Sequence, residues 1–138
     1  MKPLSPSQLI LARSRAFTAG DFEFVYDSYH PEANFRRQFP DRQAYLDYGR
    51  SVLAADFAIH ECRILQEKVE GEQARVIYYL DARFRGERVE TFELALLLPT
   101  GEGWRYYSGQ KLPRSEFAGE VGEIAWEDFE RAAEKIVF

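Results

Sequence analysis

Two long alternating runs lie back to back between Ala74 and Leu98, separated by a glycine-bearing turn. In the first run Ala74, Val76, Tyr78, Leu80, Ala82 and Phe84 hold one phase, and Arg75, Ile77, Tyr79, Asp81, Arg83 and Arg85 hold the other. Side chains alternate between faces along a strand, so the first phase is expected to be buried and most of the second wetted. Arg85-Gly86-Glu87-Arg88 is the expected turn, with Gly86-Glu87-Arg88 between the strands. On the return strand Phe92, Leu94, Leu96 and Leu98 share a face, opposite Thr91, Glu93, Ala95 and Leu97. Phe92 is accordingly expected on the inner face with Tyr78.

The rest of the chain must cover this hairpin. Ser5-Pro6 is an N-cap followed by a first-turn proline, and Gly20 is a helix stop, so residues 6–19 are expected to be helical. Leu9, Ala12, Arg13, Ala16 and Phe17 form the inward stripe, with Arg15 in solvent. Asp21 caps a short helix over 22–29, closed by His30-Pro31. Residues 32–40 read as a loop. Asp41 caps a helix to about Ala55, turning Tyr45, Leu46, Gly49, Val52 and Leu53 inward, with Tyr48 at the stripe's edge. From Phe57 the period changes to two. Phe57 and Ile59 share one phase but Cys62 and Ile64 the other, and a bulge near His60-Glu61 would reconcile them. A last strand, 104–111, puts Trp104, Tyr106, Ser108 and Gln110 on one face. Residues 126–137 are expected as a terminal helix with Trp126, Phe129, Ala133 and Ile136 on its stripe. Three helices, about four antiparallel strands and one helix make an α+β fold. The expected shape is a cone, a curved sheet wrapped around the first helix. Residues 1–118 form its domain, and 119–138 a linker and a helix that packs on the same domain or on a dimer partner.

The 138 residues suit one domain with a sizeable core. A hydrophobic fraction of 46% with 30% charged residues argues against disorder. No apolar run spans a membrane and the N-terminus lacks a signal-peptide layout, so no membrane role and a cytoplasmic location are expected. The net charge of −5 disfavours nucleic acid. Cys62 is the single cysteine, which excludes an internal disulfide, and it reads as a small buried hydrophobe rather than a nucleophile. No metal site and no cofactor are expected, because His30 and His60 have no carboxylate cluster beside them.

Arg13-x-x-Ala16-Phe17-x-x-Gly20-Asp21, then Tyr29-His30-Pro31, and late Trp104-Arg105-Tyr106 with Gly109, resemble the nuclear transport factor 2-like middle domain of bacterial YchJ-type proteins. The resemblance covers roughly residues 6–117. It implies the cone fold and no defined reaction. Phe24 and Tyr29 stand where Tyr and Trp are typical. The cysteine-rich SEC-C segments that flank such domains have no counterpart in this sequence, so the resemblance carries over no zinc. The wider fold hosts isomerases, dehydratases, hydrolases and pure binding modules.

Several residue sets are candidates for function. A ligand pocket inside the cone would be lined by Arg13, Tyr48, Tyr78, Phe92, Trp104 and Tyr106, its aromatics framing a few polar tips. Arg13 could face a ligand carboxylate, or pair with an internal Asp or Glu. His60 or Tyr106 would serve acid–base chemistry there. Asp81 reads as a surface partner of Arg83 or of a cross-strand arginine. His30 is expected to bond a free carbonyl at a helix end. Phe35-Arg36-Arg37-Gln38-Phe39 reads as a loop held by two rings with both arginines in water. Ile77, Tyr79, Val89, Ala95, Leu97 and Tyr107 form an apolar patch on the other sheet face, expected to pair two copies as a homodimer unless the terminal helix covers it. Three functional classes follow: a dimerising cone that holds a small, partly apolar ligand; a cofactor-free isomerase, dehydratase or hydrolase; and a protein-binding adaptor.

Overall fold

The computed structural model describes residues 3–132 and 134–138. Helix α1 (Pro6–Ala19) starts at an N-capping Ser5 whose hydroxyl accepts from the Gln8 N–H, while the Gln8 side chain answers the Ser5 N–H. This capping box satisfies two of the helix's orphan donors. The helix ends at Gly20 with φ +74°, the left-handed conformation glycine adopts without penalty. Helix α2 (Phe22–Asp27) follows, capped by Asp21. Helix α3 (Asn34–Gln38) occupies the stretch expected as loop. Its two phenylalanines explain the difference. Phe35 stacks on Tyr29 at 3.9 Å and meets Tyr45 edge-on, and Phe39 packs on Tyr45 and Tyr48. Spacing of four residues puts both rings on one side of a helical turn. Arg36 is drawn in with them, over the Tyr26 ring at 4.2 Å, and only Arg37 stays in water.

Helix α4 (Arg42–Tyr48) runs through a π-helical turn, Gly49–Leu53, into α5 (Ala54–Asp56). A Cβ on Gly49 would stand 2.5 Å from the Phe22 ring, so the glycine is what lets α4 close on α2.

The sheet is an antiparallel meander, curved and unclosed, in the order β1 (Phe57–Glu70), β2 (Gln73–Phe84), β3 (Glu87–Thr100), β4 (Gly103–Pro113) and β5 (Ile136–Val137). Bulges interrupt the register at His60, at Leu65 and at Tyr107. Each adds a residue to one strand and bends it, so long strands can curl over α1. The bulge at His60 lies where the change of phase demanded one. It brings Phe57, Ile59 and Cys62 onto one face.

The central turn is shorter than expected. Only Arg85 and Gly86 separate β2 from β3, with φ +52° and +84°, the paired positive φ of a tight hairpin. Tyr78 therefore pairs with Glu93, and Val76 with Ala95. A three-residue turn gives the opposite parity, and one residue of slip exchanges the faces of a strand. Ala95 and Leu97 are consequently buried under α1 with Leu9, Ile10, Ala74, Val76, Tyr78 and Tyr106. Phe92 faces the other way. The bulge at Tyr107 makes a second exchange within β4. Tyr106 faces the helices, whereas Gln110, expected on the same face, donates to the Phe129 carbonyl behind the sheet at 2.9 Å.

Behind the sheet, Ile77, Tyr79, Phe92 and Leu112 are covered by Ile124 and Phe129. The segment after β4 folds back on its own chain, with Gln66 Nε2 donating to the Ile124 carbonyl at 2.8 Å. Most of the expected dimer patch is thus covered, while Val89 is exposed. Ile77 and Tyr79 lie under the C-terminal segment, Ala95 and Leu97 lie under α1, and Tyr107 meets the His30 ring edge-on. The terminal helix is also shorter than expected. Helix α6 (Trp126–Glu130) stops early, and Ile136–Val137 add a strand to the open edge of β4 at Gln110 and Lys111. β-Branched residues beside an unpaired edge gain backbone partners as a strand. Ala133, expected on the helix stripe, lies outside the described residues.

Candidate functional site: the cavity between α1 and the sheet

A cavity of about 260 Å³ opens between α1 and the inner face of β1–β4. One part of its lining is apolar: Phe17 from α1, Phe57 and Ile59 from β1, Leu80 and Ala82 from β2, Val89 from β3. The other part is polar, with Arg13, Cys62, Tyr78, Glu93, Tyr106 and Lys111. The alternation of four strands, offset by two bulges, delivers these groups to a common space.

Arg13 is the centre of the polar part, only 8% exposed. Its guanidinium carbon lies 4.4 Å from the ring centroids of both Tyr29 and Tyr106. Nη1 donates to Ser28 Oγ at 2.5 Å, and that hydroxyl donates in turn to the Val25 carbonyl. Ser28 and Tyr29 are held in place by backbone bonds from Tyr106 N–H to the Ser28 carbonyl (2.8 Å) and from His30 N–H to the Tyr106 carbonyl (2.7 Å). Among the described residues no carboxylate comes within 4.0 Å of Arg13. The internal ion pair weighed for Arg13 is not formed. Two aromatic faces take its place, each attracting the cation through the ring quadrupole.

Glu93 is the buried anion of the site. It accepts from the Tyr78 hydroxyl, and Lys111 Nζ stands 3.9 Å from its Oε1. Burial, then the neighbouring Glu93 charge, push the Tyr78 phenol well above its ordinary value. Burial does the same to Tyr106. The Tyr106 hydroxyl lies close to Tyr78 and over Gly109, whose lack of a side chain makes room for it, yet it is buried without a hydrogen-bond partner of good geometry. The Cys62 thiol is pushed up to about 11 by burial, which disfavours the thiolate. Phe138 closes one side. Its backbone pairs with Gly109, its ring stacks on Tyr106, and Lys111 Nζ lies 4.9 Å above that ring.

A family model described as the YchJ middle NTF2-like domain matches residues 5–109. The chain belongs to this family. The YchJ-type domain accounts for α1 through most of β4, which supply most of the cavity lining, while Lys111 and Phe138 lie beyond it. No curated protein matches the sequence. Among solved structures, the chain is similar to RPA3114, a SEC-C motif containing protein from Rhodopseudomonas palustris, at 21% identity and a TM-score of 0.60, over 76% of this chain and 77% of that one. It is also similar to a putative Ca/calmodulin-dependent kinase II association domain from Exiguobacterium sibiricum, at 17% identity and a TM-score of 0.54, over 82% of this chain and 96% of that one. These likenesses show the fold.

Within this YchJ-type domain the expected pocket residues separate. Arg13, Tyr78 and Tyr106 line the cavity together. Trp104 is on the same sheet face but at the other end of α1, against Leu4 and Leu9. Tyr48 is 39% exposed and touches Phe39. Phe92 is behind the sheet. His60 is exposed on its bulge, where Nε2 accepts from Arg83 Nε at 3.2 Å, and it is not among the residues that line the cavity. Asp81 forms the expected cross-strand pair, accepting both arms of Arg88 at 3.1 Å. His30 Nδ1 accepts from the Glu32 N–H rather than donating to a carbonyl. Glu93 and Lys111 are the site residues that sequence reasoning missed. Counting through a two-residue turn would have placed Glu93 opposite Tyr78. Among the described residues no group of three or more His, Cys, Asp or Glu side chains could hold a metal. No helix among them is long and apolar enough to cross a membrane.

Proposed function

We propose that this domain holds a small, partly apolar molecule between α1 and the sheet. The observation that carries the reading is a lined cavity in which apolar groups and a few convergent polar ones meet, the general composition of small-molecule sites. At about 260 Å³ it suits a compact ligand. The C-terminal segment on the outer face of the sheet supports a binding role for the inner face alone. The test is a fragment library followed by methyl NMR, with Ile10, Ile59, Leu80 and Val89 as reporters. Shifts concentrated on those four methyl sets are expected. Shifts confined to the surface, or none, would remove the reading.

A second reading, cofactor-free proton transfer, is favoured by one feature. Glu93, bonded to Tyr78, is a carboxylate inside a largely apolar cavity. Recovery of bound compounds after prolonged incubation separates the two. Unchanged compounds support holding, and a product in place of the ligand supports turnover.

A further inference from the structure

The charges around the cavity do not balance. Glu93 already has Tyr78 and Lys111. Arg13 has one neutral hydroxyl and two ring faces, and no anion among the described residues. A buried guanidinium normally sits beside a carboxylate, because losing water costs several kcal/mol that ring faces only partly offset. The second observation is independent. Tyr106, whose ring covers one face of that guanidinium, carries a buried hydroxyl that lies close to Tyr78 but makes no hydrogen bond of good geometry. An unmade hydrogen bond of this kind is costly and rare in folded proteins. A cation without a counter-ion and a hydroxyl without a well-formed hydrogen bond line the same cavity, and one small anion would satisfy both.

We infer that the cavity takes a monocarboxylate with a short apolar tail, its carboxylate on Arg13 and the Tyr106 hydroxyl and its tail against Phe17, Leu80 and Val89. This rests on the cavity being a ligand site. The planar guanidinium fork matches a carboxylate. Charge sets the limit at one negative unit, because Glu93 lines the same space and repels a dianion such as a phosphate monoester. The tail follows from the position of the apolar lining, which lies beyond Arg13 along α1 and the strands.

The test compares hexanoate with 1-hexanol, which share a tail and differ in the head group, by NMR titration of the whole chain at neutral pH. Hexanoate is expected to bind at least about tenfold tighter and to move the Arg13 side-chain N–H resonance. Tyr106→Phe should weaken hexanoate by about threefold to tenfold and leave hexanol unchanged, since it removes only a hydroxyl. Arg13→Met should erase the preference for hexanoate. If Arg13→Met does not fold, Tyr106→Phe alone decides. Hexanol binding as well as hexanoate, or a Tyr106→Phe variant with undiminished preference, would overturn the inference and leave the cavity a ligand site. Exclusion of both compounds would overturn the inference and the ligand reading together.

Discussion

Tyr78 and Tyr106 are two tyrosines on one wall with opposite hydrogen-bond status. Tyr78 donates to a buried carboxylate, whereas the Tyr106 hydroxyl has no partner. Removing the first hydroxyl leaves Glu93 short of a donor in a low-dielectric site. Removing the second takes away a group that was desolvated for nothing. Tyr78→Phe is therefore expected to lower stability by about 1–3 kcal/mol, while Tyr106→Phe is neutral or stabilising by up to about 1 kcal/mol. Urea unfolding of both variants checks this, and a larger loss for Tyr106→Phe than for Tyr78→Phe would refute the hydrogen-bond assignment. Arg13 belongs to the same local balance. Its place on the inward stripe of α1 was legible from four-residue spacing to Leu9 and Phe17. Its partners were not, because Tyr29 and Tyr106 reach it from elements far away in the chain.

At the scale of the element, bulges and turns govern the site more than strands do. The extra residue at His60 lets Phe57 and Ile59 share a face with Cys62. The His60 side chain itself is in solvent. Deleting the residue and trimming its side chain should thus have very different consequences. Deletion would rotate the half-buried Phe57 and Ile59 outward, and since full burial is worth roughly 1.5–3 kcal/mol for each, about 2–4 kcal/mol is lost. That is a large part of the stability of a typical domain. His60→Ala is expected to stay within about 0.5 kcal/mol of the parent, as for other surface changes. Thermal unfolding followed by circular dichroism distinguishes them, and a well-folded deletion variant would contradict the register described. The bulge at residue 60 could be read from the sequence, since two apolar phases collide there. The bulge at Tyr107 could not, because Tyr106 and Tyr107 are adjacent rings and Ser108 to Lys111 offer no apolar residue to fix a phase.

For the molecule as a whole, aromatic packing makes high pH the vulnerable side. Burial holds the Tyr78 and Tyr106 phenols well above their ordinary value. Tyr79 is pushed up to about 12 by burial and by its bond to Glu90. An unfolded tyrosine ionises near 10. Above that pH the unfolded chain releases protons that the folded chain retains, so stability is complete below about pH 10 and falls as pH rises further. Tyrosinate absorbance and far-ultraviolet circular dichroism should therefore change together in alkali. Ionisation of every tyrosine near pH 10 with the fold intact would show that these phenols are not buried as described.

The order of the main elements, α3 and β5 apart, was determined by the sequence alone. Capping residues, glycine stops and two-residue alternation are local, and they placed α1, β1 with its bulge, and the central hairpin. Sidedness was decided only by the tertiary structure. β3 is apolar on both faces, so nothing in its own composition says which face meets α1. That depends on the parity of a two-residue turn and of the Tyr107 bulge, and on a C-terminal segment that covers the outer face. Parity accumulates along the chain, and covering is a long-range contact. For that reason Glu93 came into the cavity and Phe92 left it, while Arg13, Tyr78 and Tyr106 stayed where their own periodicity had put them.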